Sequence, residues 1–223
     1  MLTFLNDATI KDKYVARVRA HRAADELVQD YGYWADGKGC GIGCTLHGKR
    51  HGDYPEVLGI PEQFAWLEDA IFEGASREWA IGKTVSDAWP VRFLEAPPVG
   101  VELEPVYHRW SAWLLADSGL LAITDVNRNA INRVAELHRH AASAETVSES
   151  AWSESAESAW SAAEEWSAAW SAAWSAAAES ARSAAWSAAR SAESARSAAW
   201  SAAWSAACET MGDKLIEMMS AAE

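Results

Sequence analysis

Large apolar residues return every three or four positions along most of this chain, and nowhere does a run alternate apolar with polar as a half-buried strand would. The pattern predicts an all-α protein. Asn6 or Asp7 can cap a first helix running to about Tyr31, with Ile10, Tyr14, Val18, Leu27 and Tyr31 on its inner face. Seven glycines from Gly32 to Gly52 then predict a loop. Pro61 suits the first turn of a helix through Phe64, Leu67, Ile71 and Phe72 that Gly74 can end. Ser86 and Pro105 mark two further starts, and Thr124 or Asp125 a third, with Ile131, Val134 and Leu137 facing inward.

The pattern changes character after residue 140. No glycine or proline occurs between Gly119 and Gly212, and from Trp152 the chain repeats Trp-Ser-Ala-Ala, with Arg or Glu sometimes in the Trp place. Arg182, Trp186, Arg190, Glu193, Arg196, Trp200, Trp204 and Cys208 are seven steps covering 26 residues, the period of an α-helix. One helix over the whole repeat would be roughly 90 Å long. Slips in the spacing near Glu164 and Ala177 therefore predict breaks, and the tail reads as long Ala/Trp/Ser helices in a hairpin or bundle. Trp166, Trp170, Trp174, Trp186, Trp200 and Trp204 are expected to bury against Ala-rich faces, within the chain or between copies, so a homo-oligomer is expected. A short amphipathic helix, Lys214 to Met219, closes the sequence. The expected division is 1–140, a helical domain with the glycine loop, and 141–223, the repeat region.

Charge narrows the function. Residues 1–140 carry 15 basic and 20 acidic side chains and residues 141–223 carry 4 and 12, which gives −5 and −8 and sums to −13. A surface that neutralises phosphates needs clustered Lys and Arg, so no nucleic-acid partner is expected. The longest uncharged Trp/Ala/Ser stretch, Trp166 to Ala178, is shorter than the roughly 20 apolar residues of a membrane span, so none is expected. Met1-Leu-Thr-Phe-Leu-Asn-Asp lacks the features of a secretory signal, and the expected location is the cytoplasm. Three cysteines there read as thiols or metal ligands before disulfides.

The densest chemistry is Cys40-x3-Cys44-x2-His47-x3-His51. Thiolate and imidazole are zinc ligands, and glycines let a short loop close around an ion. The same spacing also describes a tight turn with buried Cys and hydrogen-bonded His, or a site made of two or three of these residues and an outside group. On the first helix, His21 with Asp25 and Arg22 with Glu26 are i,i+4 pairs, and a carboxylate can orient an imidazole for base chemistry or for a metal. Glu68 and Asp69 cannot share a direction on the Pro61 helix. Asp69 and Glu73 form an i,i+4 pair of like charge, which helps only if it faces a cation or an Arg. Tyr31, Tyr33 and Trp34 beside the glycine loop could stack on a flat ligand or pack in the core.

Tyr14-Val-Ala-Arg-Val-Arg-Ala-His-Arg-Ala-Ala-Asp-Glu-Leu, Gly39-Cys-Gly-Ile-Gly-Cys-Thr-Leu-His, Leu58-Gly-Ile-Pro-Glu and Leu67-Glu-Asp-Ala-Ile-Phe-Glu-Gly resemble a family of uncharacterised bacterial and phage proteins that continues into an Ala-rich repetitive tail. The resemblance covers about residues 1–140. It implies that Cys40, Cys44, His47, His51 and His21 recur together at a site, without naming the ligand. The expected function is a non-enzymatic binding protein, carried by phage or mobile DNA, that holds a small ligand, a zinc ion or a host-protein partner at the glycine loop through His21, Asp25, Tyr33, Trp34 and the four loop residues. The alternatives are a metal-dependent hydrolase using that loop with Asp25 or Glu26 as base, and a purely structural assembly protein.

Overall fold

The computed structural model describes residues 1–29, 33–74, 87–118, 128–143, 145–155 and 206–223. Among them the fold is all-α, with three isolated β-bridges, Leu2 to Glu102, Leu27 to Gly39 and Ala35 to Lys38, and no strand. The helices are α1 (Ala8–Ala23), α2 (Gly41–Leu46), α3 (Tyr54–Leu58), α4 (Glu62–Gly74), α5 (Trp89–Glu95), α6 (Glu104–Ala116) and α7 (Arg128–Ala142). Residues 149–155 and 206–220 are also helical. No helix among the described residues is long and apolar enough to cross a membrane.

The chain forms two compact units, Met1–Tyr107 with Ser197–Glu223, and His108–Arg196. The compositional break near residue 141 falls inside the second. The repeat from residue 156 to 205, with the Trp residues expected to bury there, lies outside the described residues, as do Tyr31, Ser86, Thr124 and Asp125.

In the first unit, α1 packs on α2 and α5, and α4 packs on the same two helices. Val18, Ile42, Phe64, Phe72, Phe93 and Leu94 fill the space between them. The last helical segment joins this core through Leu215 and Met219, and its Gly212 lies where a Cβ would come 2.9 Å from the Trp89 ring. Arg92 adds an ion pair to Asp213 at 2.7 Å. The second unit, in its described part, brings α7 and residues 149–155 together around His138 and Trp152.

Two segments depart from the expected pattern. Asp7 caps α1 by accepting from the Thr9 amide at 2.8 Å, but the helix ends at Ala23 and not near Tyr31. The Ala24, Asp25 and Glu26 amides turn back onto the carbonyls of Ala20, His21 and Arg22, and Asp25 takes a left-handed φ of 54°. Leu27, which fits the helical period, instead bridges to Gly39. Inside the expected glycine loop, Gly41–Leu46 is a helix of six residues, α2, ending at His47 with φ 52°. Its glycines are there for closeness. A Cβ on Gly43 would lie on top of the Tyr33 carbonyl, and one on Gly41 would come 2.8 Å from Glu68 Oε1.

Candidate functional site

The loop residues Cys40 to His51 are divided by α2 into two groups facing different neighbours. His47 leaves the C-terminal end of α2 toward α1, and Arg17 Nη1 ties the two helices by donating to the Thr45 carbonyl at 2.8 Å. There His47 Nε2 stands 2.8 Å from His21 Nε2, while His21 Nδ1 meets Glu26 Oε2 at 2.6 Å. The tight turn after α1 is what swings Glu26 back over His21. Trp34 stacks on His47 with centroids 4.3 Å apart and planes 16° apart, and meets His21 edge-on at 5.1 Å. Burial, helped by the charges of Arg17 and His21, pushes the His47 pKa down.

Cys40, at the start of α2, and His51, after it, face α4. His51 stacks almost flat on Trp66, with centroids 3.6 Å and planes 8° apart, and its Nε2 lies 3.2 Å from Asp69 Oδ2. Tyr33 meets the same imidazole edge-on at 5.5 Å. Trp66 itself is 53% exposed. The Cys40 thiol, one Asp69 oxygen and one Glu73 oxygen all lie within 4.8 Å of one another, the one such grouping of three or more metal-capable side chains among the described residues. Burial first, and then the carboxylates of Asp69, Glu73 and Glu68, push the Cys40 thiol far up, against a hydrogen bond from the Gly43 backbone. Asp69 Oδ1 is buried with no hydrogen-bond partner among the described residues.

Behind that cluster sits Glu68, wholly buried, its Oε2 accepting a very short hydrogen bond from the Tyr54 hydroxyl and its Oε1 without a hydrogen-bond partner among the described residues. Burial lifts its pKa to about 8, against the Tyr54 hydrogen bond and with some help from Asp69. At neutral pH the side chain is therefore mainly a neutral acid, able to donate a proton as well as accept one.

The residues singled out in the sequence thus separate. His21 and His47 meet, with Trp34 over them; Tyr33, Cys40 and His51 belong to the α4 side. Cys44 is turned inward between the Gly39 and Glu26 carbonyls at 3.4 and 3.6 Å, and burial pushes its thiol up to about 12. Asp25 lines a cleft of about 420 Å³ with Arg22, Gln29, Phe72 and Asp87, where Arg22 and Asp87 pair at 3.3 Å. Among the described residues no three of Cys40, Cys44, His47 and His51 gather as one ligand set. The residues that complete the Cys40 side, Asp69 and Glu73, were signalled in sequence by their like-charged helical spacing. Tyr54, Trp66 and the orphaned Glu68 oxygen had no such signal.

No family model, no curated protein and no solved structure matches the chain. What the site can do follows from its donor atoms. A thiol and two carboxylates suit a divalent ion of the zinc class, since soft sulfur excludes magnesium and calcium and the donor atoms span one ion's reach. Donors on a tetrahedral zinc stand about 3.3–3.8 Å apart, so the three require only a small closing movement.

Proposed function

We propose that this is a binding protein whose N-terminal unit holds a zinc-class divalent ion between α2 and α4, with Cys40, Asp69 and Glu73 as ligands. The observation that carries the reading is the convergence of one thiol, at the start of α2, and two carboxylates, on α4, within 4.8 Å of one another. His51 on Asp69 would orient that ligand, and its stack on Trp66 holds the imidazole in place. Because the Cys40 thiol must lose its proton to the ion, binding releases a proton and weakens as pH falls. Free thiols at Cys40, Cys44 and Cys208 suit a reducing compartment such as the cytoplasm.

The wider setting, a phage-borne protein that assembles through its repeat and withholds a ligand or engages a host partner, rests on the sequence resemblance and the tail. A second reading, a metal-dependent hydrolase, is favoured by the ligand count alone: three protein ligands leave a fourth position open, as catalytic zinc sites do.

Titration of the metal-free full-length chain with Co2+, followed by absorbance, tests the proposal. One equivalent should bind with a thiolate-to-cobalt charge-transfer band, and Zn2+ should displace it. Cys40→Ser should abolish the band and Asp69→Asn should weaken binding by tenfold or more, with helical circular dichroism retained. A chain that folds but shows no band sinks the reading. Turnover of ester or phosphodiester substrates that depends on the ion would transfer it to the hydrolase.

A further inference from the structure

The His21 and His47 contact shares no residue with the cluster on α4. Two imidazole nitrogens 2.8 Å apart cannot both point a proton at each other, so at least one Nε2 presents a lone pair there. Glu26 at 2.6 Å from His21 Nδ1 favours a proton on that nitrogen, so that in the neutral ring the Nε2 lone pair is on the His47 side. This is the outer-sphere arrangement by which a carboxylate fixes the tautomer of a ligating histidine. Trp34 packs on both rings, stacked on His47 and edge-on to His21, which keeps the two imidazoles side by side. The His21 side chain keeps 13% of its surface exposed and Glu26 33%, so water can reach the pair and fill remaining coordination positions.

We propose that His21 and His47 form a second metal site, for an imidazole-preferring transition ion such as Ni2+, with both Nε2 atoms as ligands and Glu26 as the orienting carboxylate. Two imidazole nitrogens on one first-row ion stand roughly 2.9–3.3 Å apart, close to the 2.8 Å seen here, and both rings must also turn so that their lone pairs meet at the ion instead of at each other. The site stands whether or not Cys40 binds metal.

Calorimetric titration of the full chain with Ni2+ tests this, with Cys40→Ser as background to remove the α4 site. One equivalent should persist in that background and be lost, or weakened by 100-fold or more, in both His21→Gln and His47→Gln. Glu26→Gln, which leaves both ligands in place, should weaken it by ten- to 100-fold, the usual cost of removing an orienting partner. Paramagnetic broadening by Ni2+ in the Cys40→Ser chain should fall first on the ring signals of His21 and His47, a readout that needs no substitution at either histidine. Nickel binding indifferent to all three substitutions, or broadening centred on His108, His138 or His140, overturns the proposal and leaves an imidazole hydrogen bond only.

Discussion

Two pairs of histidines meet ring to ring in this protein, and they meet differently. In the first unit His21 and His47 approach through Nε2, the outer nitrogens, at 2.8 Å; in the second, His108 and His138 approach through Nδ1, the inner nitrogens, at 2.9 Å. Nδ1 lies close to its own backbone, so an ion between two such atoms is crowded by both main chains, whereas Nε2 reaches into open space. The surroundings differ in the same sense. Glu26 braces His21 from behind, and the first pair is set to hold a cation. Around the second pair Trp152 lies edge-on to His138 at 4.9 Å, and burial, with His108 adding to it, pulls the His138 pKa down to about 4. His138 in that pair is set to stay neutral. Equal distances between like residues therefore carry opposite chemistry, and the difference is read from which nitrogen is used and what stands behind it.

The largest expected effect breaks the first pair while sparing the second. Gly43→Ala would drive a methyl group into the Tyr33 carbonyl, a backbone atom that cannot turn aside as a flexible side chain could. The segment 33–39 and α2 would have to separate, taking Trp34 off His47. Overpacking of this kind costs about 3 kcal/mol or more when backbone must move. Thermal melting followed at the first unit should show that loss, and nickel binding should fall with it. A Gly43→Ala chain that melts like the unsubstituted protein would show that the close approach does not hold the site.

The same glycines explain what was legible in the sequence. Punctuation was: Asp7 caps α1, Pro61 immediately precedes α4, Gly74 is its last residue, and Pro105 lies in the first turn of α6. The end of α1 was not. Leu27 keeps the helical period, but Asp25 turns left-handed and pairs the following residues with Gly39, a tertiary choice that periodicity cannot report. Nor was α2, since Gly41 and Gly43 argue against a helix locally, and it is the close approach of the Glu68 and Pro90 side chains to Gly41 and of the Tyr33–Trp34 backbone to Gly43 that accounts for their presence. At the site, sequence concentration rightly drew attention to Cys40 through His51. It could not show that α2 would turn Cys40 toward Asp69 and Glu73, and His47 toward His21, since neighbours in a short helix point to different sides.

A smaller effect belongs to the second pair and is set by pH. The folded pKa of His138 lies below the ordinary value of 6.5, so folding favours the neutral ring. Its contribution is fully present above about 6.5 and is lost as pH falls through the folded value of about 4. The ring is only partly buried, so the loss is on the order of 1–2 kcal/mol once solvent screening is allowed for. Melting curves of the full chain between pH 7 and pH 4 should show this decline, and His138→Gln should flatten that part of it. An identical slope in the variant would remove His138 as the cause.

The smallest effects come from the tryptophans that cover each pair, and they sharpen the contrast because the same truncation should give different results. Trp34→Ala removes a ring stacked 4.3 Å from His47 while leaving Glu26 on His21, so the nitrogens stay near each other but His47 gains freedom. The stack contributes about 1 kcal/mol to stability, and nickel affinity should drop only a few-fold. Trp152→Ala uncovers His138, whose pKa is lowered first by burial, so that pKa should climb back toward 6.5 and the acid sensitivity of the second unit should shrink. Nuclear magnetic resonance titration of the His138 ring in the Trp152→Ala chain reads this directly. If its midpoint stays near 4, repulsion from His108 and not burial holds the ring neutral, and the two pairs would then differ in charge and not in cover.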